Sequence, residues 1–547
     1  MKKIWIEHYP AGVPQTIDLH AFRSVVGLFE RSVQKFGACA AFSSAHTTLT
    51  FSGLDVLSRA FAAYLQQVRG ITRQDCIAIM LPNLLQFPIA LFGAMRTGAR
   101  ITNVNPLYTQ GELEHQLSDA GVKAIVVDFD AMPVLAKVLG KTAIDTVIIV
   151  RPDDLAKIGK TTEEADEHRQ ETVGFSAALA IGKRFELHPV PIEHEDILFL
   201  QYTGGTTGIS KGATLTHRNI VANILQFSAV LGPKLKAGRE IIVTALPLYH
   251  IFALTVNCLA FIHHGGHNIL IADPRSMPAL IAELGQWKFT AMTGVNTLFN
   301  LLLDSARFRA LDFSALKITI GGGAAIQRSV AERWFETTRC PILEGYGLSE
   351  TSPLLTLNPY NTAGFSGSIG RPIPSTDISL RDDQGNEVAI GEAGELCARG
   401  PQVMRGYWKR ESATREAMTA DGFFKTGDIA TMDAQGCFRI VDRKKDVILV
   451  SGFNVFPNEI EAVVARCDSV LENACIGVPD EHSGEAVKVF VIVKPGAQLD
   501  AEAIRAHCRQ HLTPYKVPRQ VEFLEELPKS TVGKILRREL RKKGASS

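Results

Sequence analysis

Short apolar runs alternate with amphipathic stretches along the first 150 residues. Residues 84–98 have the pattern of a helix that ends at Gly98, and Thr109 with Glu112 forms a capping box that opens the next one. A third helix is predicted over 132–139. Strands that alternate with helices predict βαβ units in a mostly parallel sheet. The predicted strands of this series are residues 76–81, 100–105, 123–128 and 146–150.

A second series of apolar runs begins at residue 196, and the pattern changes twice after it. Residues 365–440 contain short β segments separated by turns, which predicts a small antiparallel β region or barrel. The last hundred residues or so alternate again and are long enough for a separate α+β domain. The whole is predicted to be an α/β protein with two packed sheets. The predicted strands of the second series are "DILFLQ", "IIVTAL", "HNILIA", "FTAMTG" and "KITIGGG".

The composition is ordinary for a globular protein, with 46% hydrophobic and 21% charged residues among 547. Lys and Arg number 58 and Asp and Glu number 57, so the net charge gives no reason to expect nucleic acid as a partner. The nine cysteines show no CxxC pair and no Cys/His ligand spacing, which is typical of reduced thiols. The N-terminal apolar run is too short for a secretory signal. We therefore expect a cytoplasmic protein.

One stretch has the polarity of a membrane span. Residues 241–262 contain no Asp, Glu, Lys or Arg. Pro247, Tyr249 and His250 fall near the middle and divide the stretch into a strand, a loop and a helix. This division favours a buried strand–loop–helix over a helix that crosses a bilayer.

A loop rich in glycine and hydroxyl side chains, "YTGGTTGISKGA" at residues 202–213, follows the predicted strand at 196–201. Glycines let backbone N–H groups approach a ligand, and Lys211 adds a cation, which together suit a polyphosphate. The loop lacks the Gly-Lys-Ser/Thr order of a Walker loop, and a flexible surface turn is the alternative. A helix is expected next, with Thr216 as its N-cap. The candidate phosphate ligands are Thr203, Gly204, Gly205, Thr206, Thr207, Gly208, Ser210 and Lys211.

Eight sequence blocks resemble, in the same order, the adenylate-forming superfamily of acyl-CoA synthetases, luciferases and adenylation domains. The likeness spans about residues 30–540 and is nearest to the bacterial long-chain fatty acyl-CoA synthetases. That resemblance implies a ligase that makes an acyl-adenylate from a fatty acid and ATP and then an acyl-CoA, with Mg²⁺ and coenzyme A. The blocks are "YTGGTTGISKGATLTHRN", "ALPLYHIFALT", "TGVNTLFN", "GGGAAI", "EGYGLSE", "FKTGDIA", "VDRKKDVILVSGFNVFPNEIE" and "LPKSTVGKILRREL".

The resemblance also implies a domain organisation. Residues 1–442 are expected to form an N-terminal domain of two packed flavodoxin-like α/β subdomains and a small β-barrel. Residues 446–547 are expected to form a mobile α+β domain, with a hinge at about 443–446 and Lys445 as its pivot. Rotation about the hinge between half-reactions would bring Gly452 and Phe453 to the coenzyme A channel.

Several residues take their expected roles from the same resemblance. Lys534 in "KSTVGKIL" is expected to stabilise charge at the α-phosphate, although a basic run such as "KILRRELRKK" is by itself typical of a solvated face. Glu350 in "YGLSE" is expected to bind Mg²⁺, and Ser349 beside it stands where the family most often has threonine. The remaining expected ATP ligands are Gly321, Gly322, Gly323, Tyr346, Gly347, Asp428 and Arg443.

The acid substrate is less clearly specified than the nucleotide. Apolar stretches around "PLYHIFALT" and "TGVNTLFN" suit a long alkyl chain, although ordinary core is the alternative for each residue. Phe423, Phe424 and Lys425 replace the Trp-Leu-His of the fatty-acyl signature, which leaves chain length open. The candidate acyl-pocket residues are His250, Phe252, Thr293, Gly294 and Val295.

Three alternatives to a long-chain ligase follow from the sequence. The same fold could activate a different acid, such as a medium-chain acid or a fatty-acid signal, or could load an acyl-carrier protein. A binding or sensing protein without turnover is disfavoured by the predicted ATP ligands and by Lys534. A membrane-anchored protein rests on residues 241–262 alone. A homodimer, and peripheral contact of the basic C-terminal helix with the inner membrane, are left open.

Overall fold

The computed structural model describes residues 3–44, 47–151, 154, 172–203, 210–530 and 535–544. It contains two large, mostly parallel sheets, a small antiparallel sheet and a C-terminal α+β unit. The α/β fold class predicted from the alternating pattern is confirmed.

The first large sheet has eight strands, and its central strands are buried on both faces. Burial on both faces explains why residues 76–80 are an unbroken apolar run rather than an alternating one. The strands from 76 to 203 run parallel, and two antiparallel strands extend one edge. In spatial order the strands are Gly406–Tyr407, Lys211–Thr216, Ile197–Thr203, Arg100–Asn103, Cys76–Met80, Ala124–Asp128, Thr146–Val150 and Thr172–Gly174.

The second large sheet has nine strands and takes in the N-terminal hairpin. Six of its strands are linked by five parallel pairings, and antiparallel strands close both ends. In spatial order they are Arg371–Pro372, Leu354–Leu357, Ile342–Gly347, Ile318–Gly321, Ala291–Gly294, Ile241–Thr244, His267–Leu270, Ala40–Ser44 and Thr47–Thr50.

Helices cover the sheets, and several of them begin at a side-chain N-cap, among them Ser24, Thr50 and Asp500. Thr109 and Glu112 form the predicted capping box. The Thr109 N–H donates to the Glu112 carboxylate at 2.9 Å, and the Thr109 side chain accepts from the backbone N–H of Glu112. The predicted helix over 132–139 is wrong beyond its first turn: the α-helix is Met132–Leu135, and the chain then turns into a 3₁₀ segment at Leu139–Lys141. The described α-helices are Val25–Phe36, Phe51–Ala63, Gln86–Arg96, Gln110–Ala120, Met132–Leu135, Phe175–Gly182, His217–Leu231, Phe261–His263, Met277–Leu284, Asn296–Asp304, Ala306–Arg309, Arg328–Thr338, Glu411–Ala417, Pro457–Val464, Ala501–His511 and Arg537–Gly544.

One apolar core joins the two large sheets. It contains Ile79 and Leu198 from the eight-stranded sheet and Val243 and Ile320 from the nine-stranded sheet, all at most 2% exposed. Helices of both halves lie in this core, so neither sheet buries its inner face alone. The predicted packing of two α/β subdomains is therefore confirmed.

The uncharged stretch at 241–262 is the predicted buried strand–loop–helix. It forms the central strand Ile241–Thr244 and, after a loop, the π-helix Ala253–Ala260, whose residues are all buried. Among the described residues, no helix has both the length and the apolar content needed to cross a bilayer.

The small β region is an open sheet, so the predicted barrel is wrong. Its strands are Asp377–Arg381, Gly394–Arg399, Phe424–Met432 and Phe438–Arg443, paired antiparallel in that order. Trp5, 1% exposed, packs with Leu355 against the apolar side chains of this sheet. An apolar face covered in this way does not need to close on itself.

The C-terminal unit has the alternation that the sequence predicted. Two long antiparallel strands, Val470–Asp480 and Gly484–Val493, form its centre, and the helices Pro457–Val464 and Ala501–His511 pack on them. The other strands are Ile448–Val450, Phe453–Val455 and Gln520–Phe523.

A glycine-to-alanine change tests the tight helix packing of the N-terminal half. A Cβ at Gly182 would overlap the carbonyl oxygen of Ala60 in the neighbouring helix, so we expect Gly182→Ala to destabilise the protein by about 2 kcal/mol through overpacking. The measurement is the urea midpoint followed by tryptophan fluorescence. Gly111→Ala is the matched control, because its Cβ meets nothing within 4 Å, and its midpoint should stay equal or rise. Equal midpoints for both variants would contradict the packing described.

Candidate active site

The glycine-rich loop joins two antiparallel strands, which corrects the predicted strand–loop–helix order. Ile197–Thr203 pairs with Lys211–Thr216, and Thr203 lies opposite Lys211. The hydroxyl of Ser210 donates to the carbonyl oxygen of Thr203 at 2.5 Å. The helix His217–Leu231 begins only after the second strand, with Thr216 as the predicted N-cap. Gly204, Gly205, Thr206, Thr207 and Gly208 lie outside the described residues, so their expected phosphate contacts stay predictions.

The helix Gln110–Ala120 supports the base of this hairpin. His115 Nε2 lies 2.8 Å from the carbonyl oxygen of Ser210, to which it donates. Asp119 accepts from the Tyr202 hydroxyl at 2.7 Å and from the Arg410 guanidinium at 2.9 Å. Both loop strands are therefore held by side chains that the motif itself does not contain.

Glu350, the predicted metal ligand, is buried in a short 3₁₀ turn at Ser349–Thr351. The Tyr407 hydroxyl donates to its Oε1 at 2.8 Å, and its carbonyl oxygen accepts from the Met404 N–H at 2.7 Å. Burial raises the pKa of Glu350, which means that the pocket disfavours a lone negative charge. Lys211 Nζ lies 5.1 Å from the centroid of the same tyrosine ring.

The backbone of the "EGYGLSE" block needs its second glycine, Gly347. A Cβ at Gly347 would overlap the carbonyl oxygen of Pro353, which accepts from the Leu348 N–H at 3.1 Å. This close approach folds the chain back after the strand Ile342–Gly347 and turns Glu350 toward Tyr407. Gly347 is thus explained by local packing, and its expected contact with the nucleotide stays a prediction.

The three glycines predicted for adenine lie at the carboxyl end of a central strand. Gly321 pairs with Glu344 on one side and with Gly294 on the other. A Cβ at Gly322 would come within 3.2 Å of the Gly345 carbonyl oxygen, and Gly323 has a φ of +77°. A side chain at Gly322 would therefore crowd the neighbouring backbone, and one at Gly323 would be strained by the positive φ.

Tyr346, Asp428 and Arg443 form one contact group although they come from distant parts of the chain. The Tyr346 hydroxyl donates to Asp428 Oδ2 at 2.6 Å, and Arg443 Nε lies 3.2 Å from Asp428 Oδ1. Asp428 faces Arg443 across the antiparallel strands of the small sheet. The half-buried ring of Tyr346 therefore lies near the three glycines, and the Asp428 carboxylate and the Arg443 guanidinium lie next to it.

The residues predicted to line the acyl pocket border that glycine edge. Phe252 lies 3.2 Å from the position of a Cβ on Gly322, and Val295 lies 3.6 Å from one on Gly323. A Cβ at position 294 would lie 2.7 Å from the Phe299 ring, so Gly294 leaves room for that ring. Two of the five candidates have polar contacts: Thr293 donates to Asn257 Oδ1 at 3.0 Å, and His250 Nδ1 accepts from the Phe252 N–H at 3.3 Å.

The predicted hinge lies where the small sheet ends and the C-terminal unit begins. Lys445 is in the 3₁₀ turn Lys444–Asp446, and burial lowers its pKa. Gly452 has a φ of +84° and forms with Ser451 the tight turn of an exposed hairpin. Phe453 is 55% exposed, and its ring stacks on Tyr515 at 4.8 Å. Their expected roles as pivot and channel residues stay predictions, and Lys534 lies outside the described residues.

A buried cluster of charges crosses this predicted hinge. Arg537 lies 2.8 Å from Glu461, 3.3 Å from Asp442 and 3.4 Å from Asp446. Asp442, fully buried, also accepts from the Asn458 N–H at 2.7 Å. Asp442, before the predicted hinge, is thereby paired with Arg537 and Asn458, which come after it. These contacts hold the C-terminal unit in the orientation described here. A basic run such as "KILRRELRKK" is typical of a solvated face, but the Arg537 side chain is only 15% exposed.

Glu344 is a further titratable group at the glycine edge that sequence reasoning missed. Burial raises its pKa to about 7, against the lowering effect of the Ile326 N–H and Arg439. The motif "EGYGLSE" contains it, but only the fold shows that it is 8% exposed. A carboxyl group at this edge is therefore mostly neutral below neutral pH.

The raised pKa of Glu344 predicts a pH dependence of stability. Between pH 4.5 and 7 the folded state keeps a proton that the unfolded state loses, so the free energy of unfolding should fall as pH rises, by up to about 3 kcal/mol. Glu344→Gln should lack this fall, whereas Glu336→Gln, at an exposed position, should follow the wild type. Urea denaturation from pH 5 to 8 measures it. Parallel profiles for wild type and Glu344→Gln would contradict the assignment.

Comparisons with known proteins agree with this arrangement. Residues 29–408 match the model of the AMP-binding enzyme family, and residues 459–534 match that of the AMP-binding enzyme C-terminal domain. The chain is 53% identical to a long-chain-fatty-acid–CoA ligase of Salmonella typhimurium, over 99% of this chain and 98% of the relative.

Solved structures show the same fold. The ATP-bound crystal structure of MatB from Rhodopseudomonas palustris is 28% identical, covers 95% of this chain and 98% of its own, and has a TM-score of 0.83. Apo MatB, with the same identity and coverage, has a TM-score of 0.73. The fold, the motif order and the matched family models lead to one assignment: the chain belongs to the family of AMP-binding enzymes.

Proposed function

We propose that the protein is an AMP-forming long-chain fatty acid–CoA ligase, which converts a fatty acid, ATP and coenzyme A to acyl-CoA, AMP and pyrophosphate. The observation that carries this function is the contact between two predicted sites. Phe252 and Val295, of the predicted acyl lining, lie directly beside Gly322 and Gly323, of the predicted adenine edge. A carboxylate at the end of an apolar pocket would there meet the nucleotide. The 53% identity to a ligase of this kind supports the same reaction.

In the first half-reaction a carboxylate oxygen of the acid attacks the α-phosphorus of ATP. The bond from that phosphorus to the bridging oxygen breaks, and pyrophosphate leaves with the electron pair. Lys211 and the loop hydroxyls hold the leaving pyrophosphate, and Asp428 and Arg443 hold the ribose end. Lys534 brings a positive charge to the α-phosphate and carboxylate oxygens. The negative charges of these two groups come closest together in the transition state, so a cation there stabilises it.

The residues around Glu350 fit a bound Mg²⁺. Burial raises the pKa of this carboxylate, and a nearby cation would offset that cost. No group of three or more His, Cys, Asp or Glu that could hold a metal occurs among the described residues, so the protein would supply one carboxylate and ATP the phosphate oxygens. This ligand set is the one that Mg²⁺ prefers in nucleotide sites. When bound, the ion would neutralise charge on the pyrophosphate.

In the second half-reaction the sulfur of coenzyme A attacks the acyl carbon, the carbon–oxygen bond to AMP breaks, and the thiol proton passes to solvent. The C-terminal unit would rotate about Lys445 and bring Gly452 and Phe453 to the channel. The higher TM-score against ATP-bound MatB than against apo MatB, 0.83 against 0.73, supports assigning the present orientation to the adenylation step. The Arg537 cluster would then have to open at Asp442 before thioester formation.

The departure from the fatty-acyl signature has a structural explanation. The guanidinium groups of Arg381 and Arg399 lie over the Phe423 ring, at 4.8 and 4.4 Å from its centroid. Phe424 is 2% exposed and joins the shared core. These side chains therefore stabilise the small sheet, and their difference from the signature carries no argument for a different acid. A second acid class has no such specific support, and it remains an outcome of the test below.

A panel of acids tests the proposed substrate. Values of kcat/KM for acyl-CoA formation should be at least about 10-fold higher for long-chain than for medium-chain fatty acids, because each buried methylene contributes about 0.8 kcal/mol. Saturated, unsaturated and aryl acids belong in the panel, and acyl-carrier protein should not replace coenzyme A. Higher values for aryl or medium-chain acids, or transfer to the carrier protein, would contradict the proposal.

Substitution of Lys534 tests the division between half-reactions. Lys534→Ala should lower the rate of pyrophosphate release by at least about 100-fold, because one charge at the transition state is lost. Reaction of pre-formed acyl-adenylate with coenzyme A should remain largely intact. Lys542→Ala is the control on the same basic segment, where the ammonium lies 3.0 Å from the half-buried Glu539 carboxylate. Equal loss of both half-reactions in Lys534→Ala would refute the role.

A further inference from the structure

One uncharged side chain, that of Tyr407, contacts both a predicted pyrophosphate-binding cation and the predicted metal ligand. Its hydroxyl donates to Glu350 Oε1 at 2.8 Å, and Lys211 Nζ lies 5.1 Å from its ring centroid. We propose that Tyr407 is a positioning residue for ATP: it orients the Glu350 carboxylate and keeps the Lys211 ammonium beside it without pairing their charges. The inference rests on the proposed function, because it uses the roles assigned there to Glu350 and Lys211.

The backbone fixes the position of Tyr407. The strand Gly406–Tyr407 pairs with Lys211–Thr216, and the Trp408 N–H donates to the Gly212 carbonyl oxygen at 2.8 Å. The Tyr407 N–H donates to Thr414 Oγ1 at 2.9 Å. Tyr407 thus lies on a strand paired with the one that begins with Lys211, while its hydroxyl reaches Glu350 in the turn that follows a strand of the other large sheet.

The chemistry of tyrosine suits a tether between two opposite charges. A ring face attracts an ammonium without accepting a directed hydrogen bond, so the N–H donors of Lys211 stay available for phosphate oxygens. A phenol donates one hydrogen bond to Glu350 and adds no positive charge that would compete with a metal ion. In a direct ion pair, Lys211 and Glu350 would bind each other, and neither charge would be available to phosphate or to a metal ion. Tyr407 would disfavour this pairing by holding the ammonium over its ring and one carboxylate oxygen at its hydroxyl.

Two substitutions separate the two contacts. Tyr407→Phe removes the hydroxyl and keeps the ring, whereas Tyr407→Leu removes both. The measurement is the equilibrium dissociation constant of ATP for the full-length protein, by calorimetry, over a series of Mg²⁺ concentrations and in EDTA. No acid or coenzyme A is added, so no turnover occurs.

Tyr407→Phe should raise the Mg²⁺ concentration for half-maximal ATP binding by about 10-fold, as expected when a residue that orients a metal ligand is lost. Its ATP affinity in EDTA should equal that of the wild type. Tyr407→Leu should show the same shift and, in EDTA, an additional loss of ATP affinity of about 3-fold from the lost cation–π contact. An unchanged Mg²⁺ dependence in Tyr407→Phe would overturn the proposal.

The chain offers a matched control at Tyr360. Lys234 Nζ lies 5.7 Å from the Tyr360 ring centroid, and the hydroxyl donates to the Ala11 carbonyl oxygen at 3.3 Å. Tyr360→Phe and Tyr360→Leu therefore remove the same kinds of contact away from the site, and both should bind Mg²⁺ and ATP as the wild type does. A shift of equal size in the Tyr360 variants would show a general effect of such substitutions and overturn the specific role.

A double substitution tests whether the hydroxyl acts through Glu350. In the Glu350→Gln background, Tyr407→Phe should cause no further change in Mg²⁺ dependence, because the metal ligand is already lost. An additive loss would overturn the proposed route. The binding readout contains no acid, so its outcome is independent of the acid panel. A protein that fails with fatty acids but shows the predicted ATP binding would refute the substrate and leave the role of Tyr407 standing.

Discussion

The site depends on how the short segment 401–408 connects the two large sheets. Two consecutive backbone N–H groups of this segment donate to acceptors in different parts of the fold. The Met404 N–H donates to the Glu350 carbonyl oxygen at 2.7 Å, and the Arg405 N–H donates to the Thr214 carbonyl oxygen at 3.0 Å. Glu350 follows a strand of the nine-stranded sheet, whereas Thr214 belongs to the eight-stranded sheet. The segment therefore gives the turn at Glu350 and the strand Lys211–Thr216 one backbone contact each, in addition to the apolar core that the two sheets share.

Buried amides reinforce the same connection. Gln226 Nε2 donates to Gln402 Oε1 at 3.0 Å, and Gln402 Nε2 donates to Thr376 Oγ1 at 2.7 Å, with both glutamines fully buried. The carbonyl oxygen of Gln402 accepts from the Ser352 hydroxyl at 2.9 Å. Because a buried amide left unpaired costs about 1–3 kcal/mol, small shifts of this segment are strongly disfavoured. These polar groups in the core hold the backbone around Glu350, and the Tyr407 hydroxyl orients its carboxylate.

Sequence reasoning was most accurate where local signals suffice. The central strands, the capping box at Thr109 and the N-cap at Thr216 depend on neighbours within a few residues, and all are present. It was wrong or incomplete where distant partners decide: the open small sheet depends on coverage by Trp5, and the burial of Arg537 depends on Asp442. Tyr407 was missed because Glu350 is 57 residues away in the chain. The strand Lys211–Thr216 was missed because its glycine, lysine and threonines read as loop.

That missed strand changes the physical account of how phosphate is held. In a strand–loop–helix site the free N–H groups of the helix N-terminus point at the anion. Here six residues of strand separate the loop from the helix His217–Leu231, a distance of about 20 Å at the rise of a strand. The first turn of that helix is also closed by a capping box between Thr216 and Asn219. The helix dipole is therefore not available to the loop, and positive charge must come from side chains. Lys211, kept beside Glu350 by the neutral ring of Tyr407, is the cation at the base of the loop that meets this requirement.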